Sequence, residues 1–140
     1  MMKKNWLLVF LCSSMLGVSC SSSGSKQEDK QKQLIDEVMA VHDEVMPKMD
    51  TVMTLKSSLD SALKVSSSND SAKIMALSAA LDSADVKMSV WMEEYRPELV
   101  KGKNDSTVVK YLENEKIRIS LVKEVTNKSI EEATAFLKRR

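Results

Sequence analysis

Cysteine, glycine, proline and aromatic side chains are all scarce in this chain of 140 residues. It holds two cysteines, three glycines, two prolines and two each of tryptophan, tyrosine and phenylalanine. Both cysteines, Cys12 and Cys20, lie in the first twenty residues. Everything after Cys20 therefore lacks the thiols for an internal disulfide or a cysteine-based zinc site. There is one histidine, His42, and Met39 stands three residues before it, so the paired Glu-x-x-His motifs of di-iron bundles are missing. The Cys-x-x-Cys-His motif for covalent haem attachment and glycine-rich phosphate loops are missing too. A Ser-His-Asp triad needs a serine on a sharp turn, whereas His42 sits within an apolar helical stripe. The carboxylates fall on polar helix faces at ordinary spacing, which is the pattern of solvated surface and not of an acid–base pair in a cleft. These absences point away from an enzyme.

The N-terminus is rich in a different pattern. Lys3 and Lys4 are followed by an apolar stretch from Trp6 to Leu11 with Met15 and Leu16, and then by the short side chains Gly17, Val18 and Ser19 before Cys20. That order is a secretory signal, over residues 1–19, and the interrupting serines leave the run short of the roughly 20 apolar residues a spanning helix needs. The stretch Leu16-Gly17-Val18-Ser19-Cys20 resembles the lipobox of bacterial lipoproteins, although leucine usually stands where Gly17 does. The resemblance implies diacylglyceryl transfer to the Cys20 sulfur and cleavage before Cys20. Cys12 is a poorer candidate, since bulky Leu11 precedes it. Two or three acyl chains, at about 0.8 kcal/mol per buried methylene, hold a protein stably on a bilayer without spanning it. Ser21, not aspartate, follows the cysteine, which resembles the outer-membrane sorting signal of enterobacteria and implies an outer-membrane location.

Removal of residues 1–19 takes Lys3 and Lys4 from the 21 basic residues and leaves 19 against 20 acidic ones, a net charge near −1. With no basic surplus to neutralise phosphates, nucleic acid is not an expected partner. The remainder is one domain's worth of chain. Few breakers and abundant Ala, Leu, Lys, Glu and Met favour long helices.

Residues 20–25 read as a flexible tether, and Ser25 with Glu28 as a capping box opening a helical domain over 26–140. Helix one is expected from about 26 to 65. At 100° steps, Leu34, Ile35, Val38, Val41, His42, Val45, Met46, Met49, Val52, Met53 and Leu59 share a broad face, valines on one flank and methionines on the other. Pro47 falls on the opposite side, where it predicts a kink near 43–47 or a break. A polar turn at 66–70 precedes helix two, whose line Ile74, Leu77, Leu81, Ala84, Met88, Trp91 and Tyr95 has the 3–4 spacing of a coiled-coil seam and must stop before Pro97. After a loop at 97–104, Asp105 or Ser106 is expected to cap helix three, with Val108, Leu112, Ile119, Val122, Ile130, Ala133 and Leu137 inward and Tyr111, Val125 and Phe136 beside them. The fold class is therefore all-α: an antiparallel up-down-up three-helix bundle of long coiled-coil-like helices. A short repeat, Leu59-Asp60-Ser61-Ala62 and Leu81-Asp82-Ser83-Ala84, reads as coincidence within biased composition.

Two candidate sites remain. Met39, His42, Met46, Met49 and Met53 follow steps of 3, 4, 3 and 4. Thioethers and imidazole suit Cu(I), and a His/Met pair can hold haem, so a copper- or haem-binding module is one expectation. The plainer reading is methionine as core filler. Met88, Trp91, Met92 and Tyr95 on helix two form a second candidate, a groove for a partner's helix. The leading expectation is a lipid-anchored envelope lipoprotein with a structural or protein-interaction role, binding no cofactor.

The stretch Asp36-Glu37-Val38-Met39-Ala40-Val41-His42-Asp43-Glu44-Val45-Met46-Pro47-Lys48-Met49, the segment from Met88 to Tyr95 and Tyr111-Leu112-Glu113-Asn114-Glu115-Lys116 together resemble small lipoproteins of the Bacteroidota often labelled "viral A-type inclusion protein". The resemblance implies a helical lipoprotein of unknown function and supplies no catalytic residues.

Overall fold

The structure, a computed structural model, describes residues 23–139. The signal segment 1–19, Cys20 and the start of the tether lie outside the described residues. Four helices follow: α1 (Ser23–Val45), α2 (Lys48–Leu63), α3 (Ser68–Glu94) and α4 (Asp105–Leu137), with a 3-10 turn at Pro97–Val100. Helix α1 begins at Ser23, so the last residues of the expected tether are helical and Ser25 lies inside the helix, not at its cap.

Helices α1 and α2 are one rod bent at Pro47. Proline has no N–H, so the Asp43 carbonyl loses its helical partner. Pro47 nevertheless keeps helical dihedrals (φ −63°, ψ −21°). Hydrogen bonds from Met46 N to the His42 carbonyl (2.9 Å) and from Met49 N to the Met46 carbonyl (3.1 Å) carry the chain through. The outcome is a bend with a two-residue interruption, as the solvent-side position of Pro47 predicted. The rod, α3 and α4 pack as an up-down-up bundle.

The start of α4 is set one residue earlier than expected. Asn104 is the cap, its Oδ1 accepting from Thr107 N at 3.0 Å and from the Ser106 and Thr107 hydroxyls at 2.8 Å. Asp105 and Ser106 are the first helical residues. Gly102 holds φ +76° in the preceding loop, a conformation glycine adopts without steric cost.

The α3 seam is as spacing predicted: Ile74, Leu77, Leu81, Ala84, Met88 and Trp91 are buried and Tyr95 is half-buried. The α1–α2 face is narrower than expected. Leu34, Val38, Val45, Val52 and Leu59 are buried, whereas Ile35, Met46 and Met53 are exposed. Val38, Val45, Val52 and Leu59 recur every seven residues, a 3.5-residue period that confines burial to one seam. On α4 the buried line is Val109, Leu112, Glu115, Ile119, Val122, Thr126, Ser129 and Ala133. Three of these are polar, and apolar patterning alone passes over them.

Side-chain pairs give the register. Helix α1 runs parallel to α4, with Glu37 bonded to Lys116 (2.6 Å) and Glu44 to Lys123 (2.5 Å). Helix α3 runs antiparallel, pairing Glu94 with Arg118 and Asp82 with Lys56 of α2. Because α3 ends beside Arg118, the first third of α4 has, among the described residues, α1 and the segment 95–104 as neighbours. The bundle thus has three helices at the end away from Ser23 and two helices plus a loop at the Ser23 end.

Candidate functional site

Where α3 ends, the rings gather. His42 of α1 faces Trp91 of α3 at 5.6 Å between centroids. Trp91 stacks on Tyr95 at 4.9 Å, and Tyr95 on Tyr111 of α4 at 6.4 Å. Three of the four aromatic residues after Cys20 and the one histidine therefore form a single ladder across the bundle. Among the described residues, no Cα of α1 lies within 8 Å of one in α3. The Trp91 ring, 3 % exposed, fills that wider gap with Val38, Val45, Met88, Ile119 and Val122 around it.

Polar groups close the ladder. The Tyr111 hydroxyl accepts a hydrogen bond from Arg96 N at 2.7 Å, which ties down the chain leaving α3. Glu115, 2 % exposed, accepts from Arg118 at 2.9 Å through Oε1, and Arg118 also pairs with Glu94. Glu115 Oε2 and Trp91 Nε1 are buried without a partner among the described residues. Burial raises the Tyr95 hydroxyl above its ordinary 10.0, and Tyr111 and Glu115 add to the effect. Burial raises Tyr111 as well, opposed by the Arg96 N–H and reinforced by Glu115.

The methionine stripe does not act as one row. Met39, Met46 and Met53 each follow a buried valine by one residue, which turns them about 100° off the seam. Met39 is half-buried, and Met46 and Met53 are exposed. Met49 instead packs against two core clusters. His42 keeps 19 % of its side chain exposed, and its Nδ1 meets Asp43 at 2.9 Å. Met39, His42 and Met46 follow one another at steps of 3 and 4 along the partly exposed edge of α1 and its bend. No group of three His, Cys, Asp or Glu residues able to hold a metal occurs among the described residues. The second candidate also divides: Met88 and Trp91 are core, Tyr95 is half-buried in the ladder, and Met92 alone is exposed.

Sequence reading missed a different surface. On α4, Ile117 is 60 % and Leu121 55 % exposed; across the α3–α4 groove, Val86 and Val90 are 58 % and 41 % exposed. Leu121 lines two shallow clefts, one of about 530 Å³ with Val86, Val90, Trp91 and Val125, the other of about 590 Å³ with Leu34, Ile117 and Ser120. It forms the ridge between them. Once Glu115 and Thr126 take inward positions, Ile117 and Leu121 must face outward; apolar residues left over from a completed seam were the available signal. No helix among the described residues is long and apolar enough to cross a membrane. Compared with protein-family models, curated proteins and solved structures, the chain matches none.

Proposed function

We propose that this chain is a lipid-anchored envelope lipoprotein, held through Cys20 on the outer membrane, whose helical rod acts by binding another protein and not by catalysis. The observation that carries the anchoring is the charged, apolar and small-residue order of residues 3–19 directly before Cys20. The exposed ridge of Ile117 and Leu121 supports the binding role, because contiguous exposed apolar surface is uncommon on a protein that has no partner. Half-buried Arg118 ties α4 to Glu94 of α3 and engages the buried Glu115 of its own helix.

Intact-mass measurement of the protein recovered from bacterial envelopes tests the anchor. The expected product begins at Cys20 and carries diacylglycerol, with or without a third acyl chain, and Cys20→Ala moves it from the detergent phase to the aqueous phase. A product that retains residues 1–19, or one that begins at Cys20 without lipid, refutes the reading.

A second reading is Cu(I) binding by His42 with Met39 and Met46. These three are neighbours on successive turns at the partly exposed edge of α1. Competition titration with a Cu(I) chelator separates the readings: one-to-one binding lost in His42→Ala and Met46→Leu supports it, and unchanged competition removes it. The same titration with haem, followed by its absorption spectrum, covers the His/Met haem alternative.

A further inference from the structure

The ridge on α4 has a symmetry in its charges. Helix α4 spans Asp105–Leu137, and Leu121 is its midpoint. Counting outward from Leu121, Ile117 stands opposite Val125, Arg118 opposite Glu124, Asn114 opposite Lys128, and Lys110 opposite Glu132. Lys110, Asn114, Ile117, Leu121, Lys128 and Glu132 all lie within about 40° of the Leu121 direction when placed at 100° steps. Each of the four polar or charged ones is exposed. Lys110, Lys128 and Glu132 form no ion pair among the described residues.

From this placement we infer that the partner is a second copy of the chain, docked antiparallel along α4 with a two-fold axis at Leu121. The inference deepens the interaction role proposed above and rests on it. A two-fold axis there overlaps the two α4 helices end to end, puts Leu121 against its own copy and Ile117 against Val125, and sets Lys110 against Glu132 at both ends. A parallel pairing in register opposes Lys110 to Lys110, Lys128 to Lys128 and Glu124 to Glu124, and like charges set face to face are destabilising. Shifting the antiparallel pairing by four residues, so that Ile117 meets Leu121, brings Lys110 against Lys128 instead. The mixed signs around the ridge also disfavour a bilayer as the occupant, since an anionic lipid surface selects a basic rim. In the dimer the two Ser23 ends point in opposite directions, so the paired rods lie along a membrane or join two surfaces.

The test uses the full chain in bacterial envelopes. Leu121→Cys is oxidised with copper phenanthroline and compared with Met75→Cys, an exposed position on α3 distant from the axis. The expected result is a disulfide-linked dimer that forms about tenfold faster at position 121. Lys110→Glu in the Leu121→Cys chain should slow linkage several-fold, Glu132→Lys likewise, and the double exchange should restore it, because each contact recurs twice about the axis. Equal rates at 121 and 75, or no restoration in the double exchange, overturn the inference. An unlinked thiol at position 121 that is shielded from a water-soluble maleimide only while lipid is present assigns the ridge to the bilayer and overturns it too. The unsubstituted chain serves as control: a disulfide dimer formed there through Cys20 refutes acylation and leaves the α4 pairing to be judged by the charge exchange.

Discussion

The two ends of the rod are held by different physics. At the end away from Ser23, α2, α3 and α4 enclose an aliphatic cluster of Val52, Leu59, Ile74, Leu77, Leu81 and Ala133, most of them fully buried. At the Ser23 end, the apolar cluster that α1 and α4 share among the described residues is Leu34, Val109 and Leu112. What joins the helices there is a row of polar pairs: Lys30 with Glu113 (3.0 Å), Gln31 with Asp105 (3.1 Å) and Glu37 with Lys116. Burying a leucine contributes about 2 kcal/mol, whereas an exposed ion pair contributes well under 1 kcal/mol. The difference teaches that a helix without a third neighbour cannot close an apolar core, and that charge then selects register more than it adds stability.

The largest effect should come from the aliphatic end. Leu81→Ala is expected to lower unfolding stability by about 3–5 kcal/mol, and Leu34→Ala by about 2 kcal/mol or less, because Leu34 has fewer neighbours to leave behind. Urea unfolding followed by circular dichroism measures both, and equal losses would erase the contrast. At the boundary between the two ends, Arg118→Ala strands the buried Glu115 carboxylate and should cost about 3 kcal/mol, while Glu115→Leu should be nearly neutral. If Glu115→Leu is as damaging as Arg118→Ala, the pair is a source of stability and not a compensated cost.

A smaller effect is expected from Tyr111→Phe, which removes the acceptor of the Arg96 N–H and should cost about 1 kcal/mol, read as faster amide exchange around residues 95–97. The smallest effects are set by solution conditions. Hydrogen bonds from Lys116 and Gln33 lower the Glu37 pKa below its ordinary 4.5, and those from Lys123 and Lys48 do the same for Glu44. A lowered folded-state value means that stability is present above pH 4.5 and is lost as pH falls through the folded-state values. Acid, or 1 M salt, should therefore speed amide exchange in α1 ahead of α2 and α3, where the Lys56–Asp82 pair lies beside an aliphatic cluster that has no such dependence. At high pH the raised Tyr95 and Tyr111 act in the opposite direction. Their contribution is intact below 10.0, and is lost as pH rises through the folded-state values. Uniform loosening of all helices in acid would show that the ends are not distinct.

Much of this fold was legible from residue spacing. The α3 line from Ile74 to Tyr95 needed no structure, since a strict 3–4 spacing admits one buried face. Pro97 and Pro47 likewise marked a stop and a bend through chemistry local to the backbone. Less was legible on α1, where Met39, Met46 and Met53 looked equivalent to the valines they follow. Hydrophobicity cannot rank residues 100° apart until the neighbouring helices set how wide the buried stripe is. Glu115, Thr126 and Ser129 escaped because the seam was traced by apolarity; its 3–4 spacing, carried through regardless of residue type, includes all three.

By itself, then, the sequence determined the helical class, the order and direction of the rods, the bend, and the absence of thiol chemistry after Cys20, because periodicity, proline and residue count act locally. Only the tertiary structure decided that α3 stops short of the Ser23 end, that four rings form one ladder there, and that Ile117 and Leu121 are left facing outward. Those outcomes depend on which helices meet and in what register, and a partner's position is not written into any one helix's own spacing.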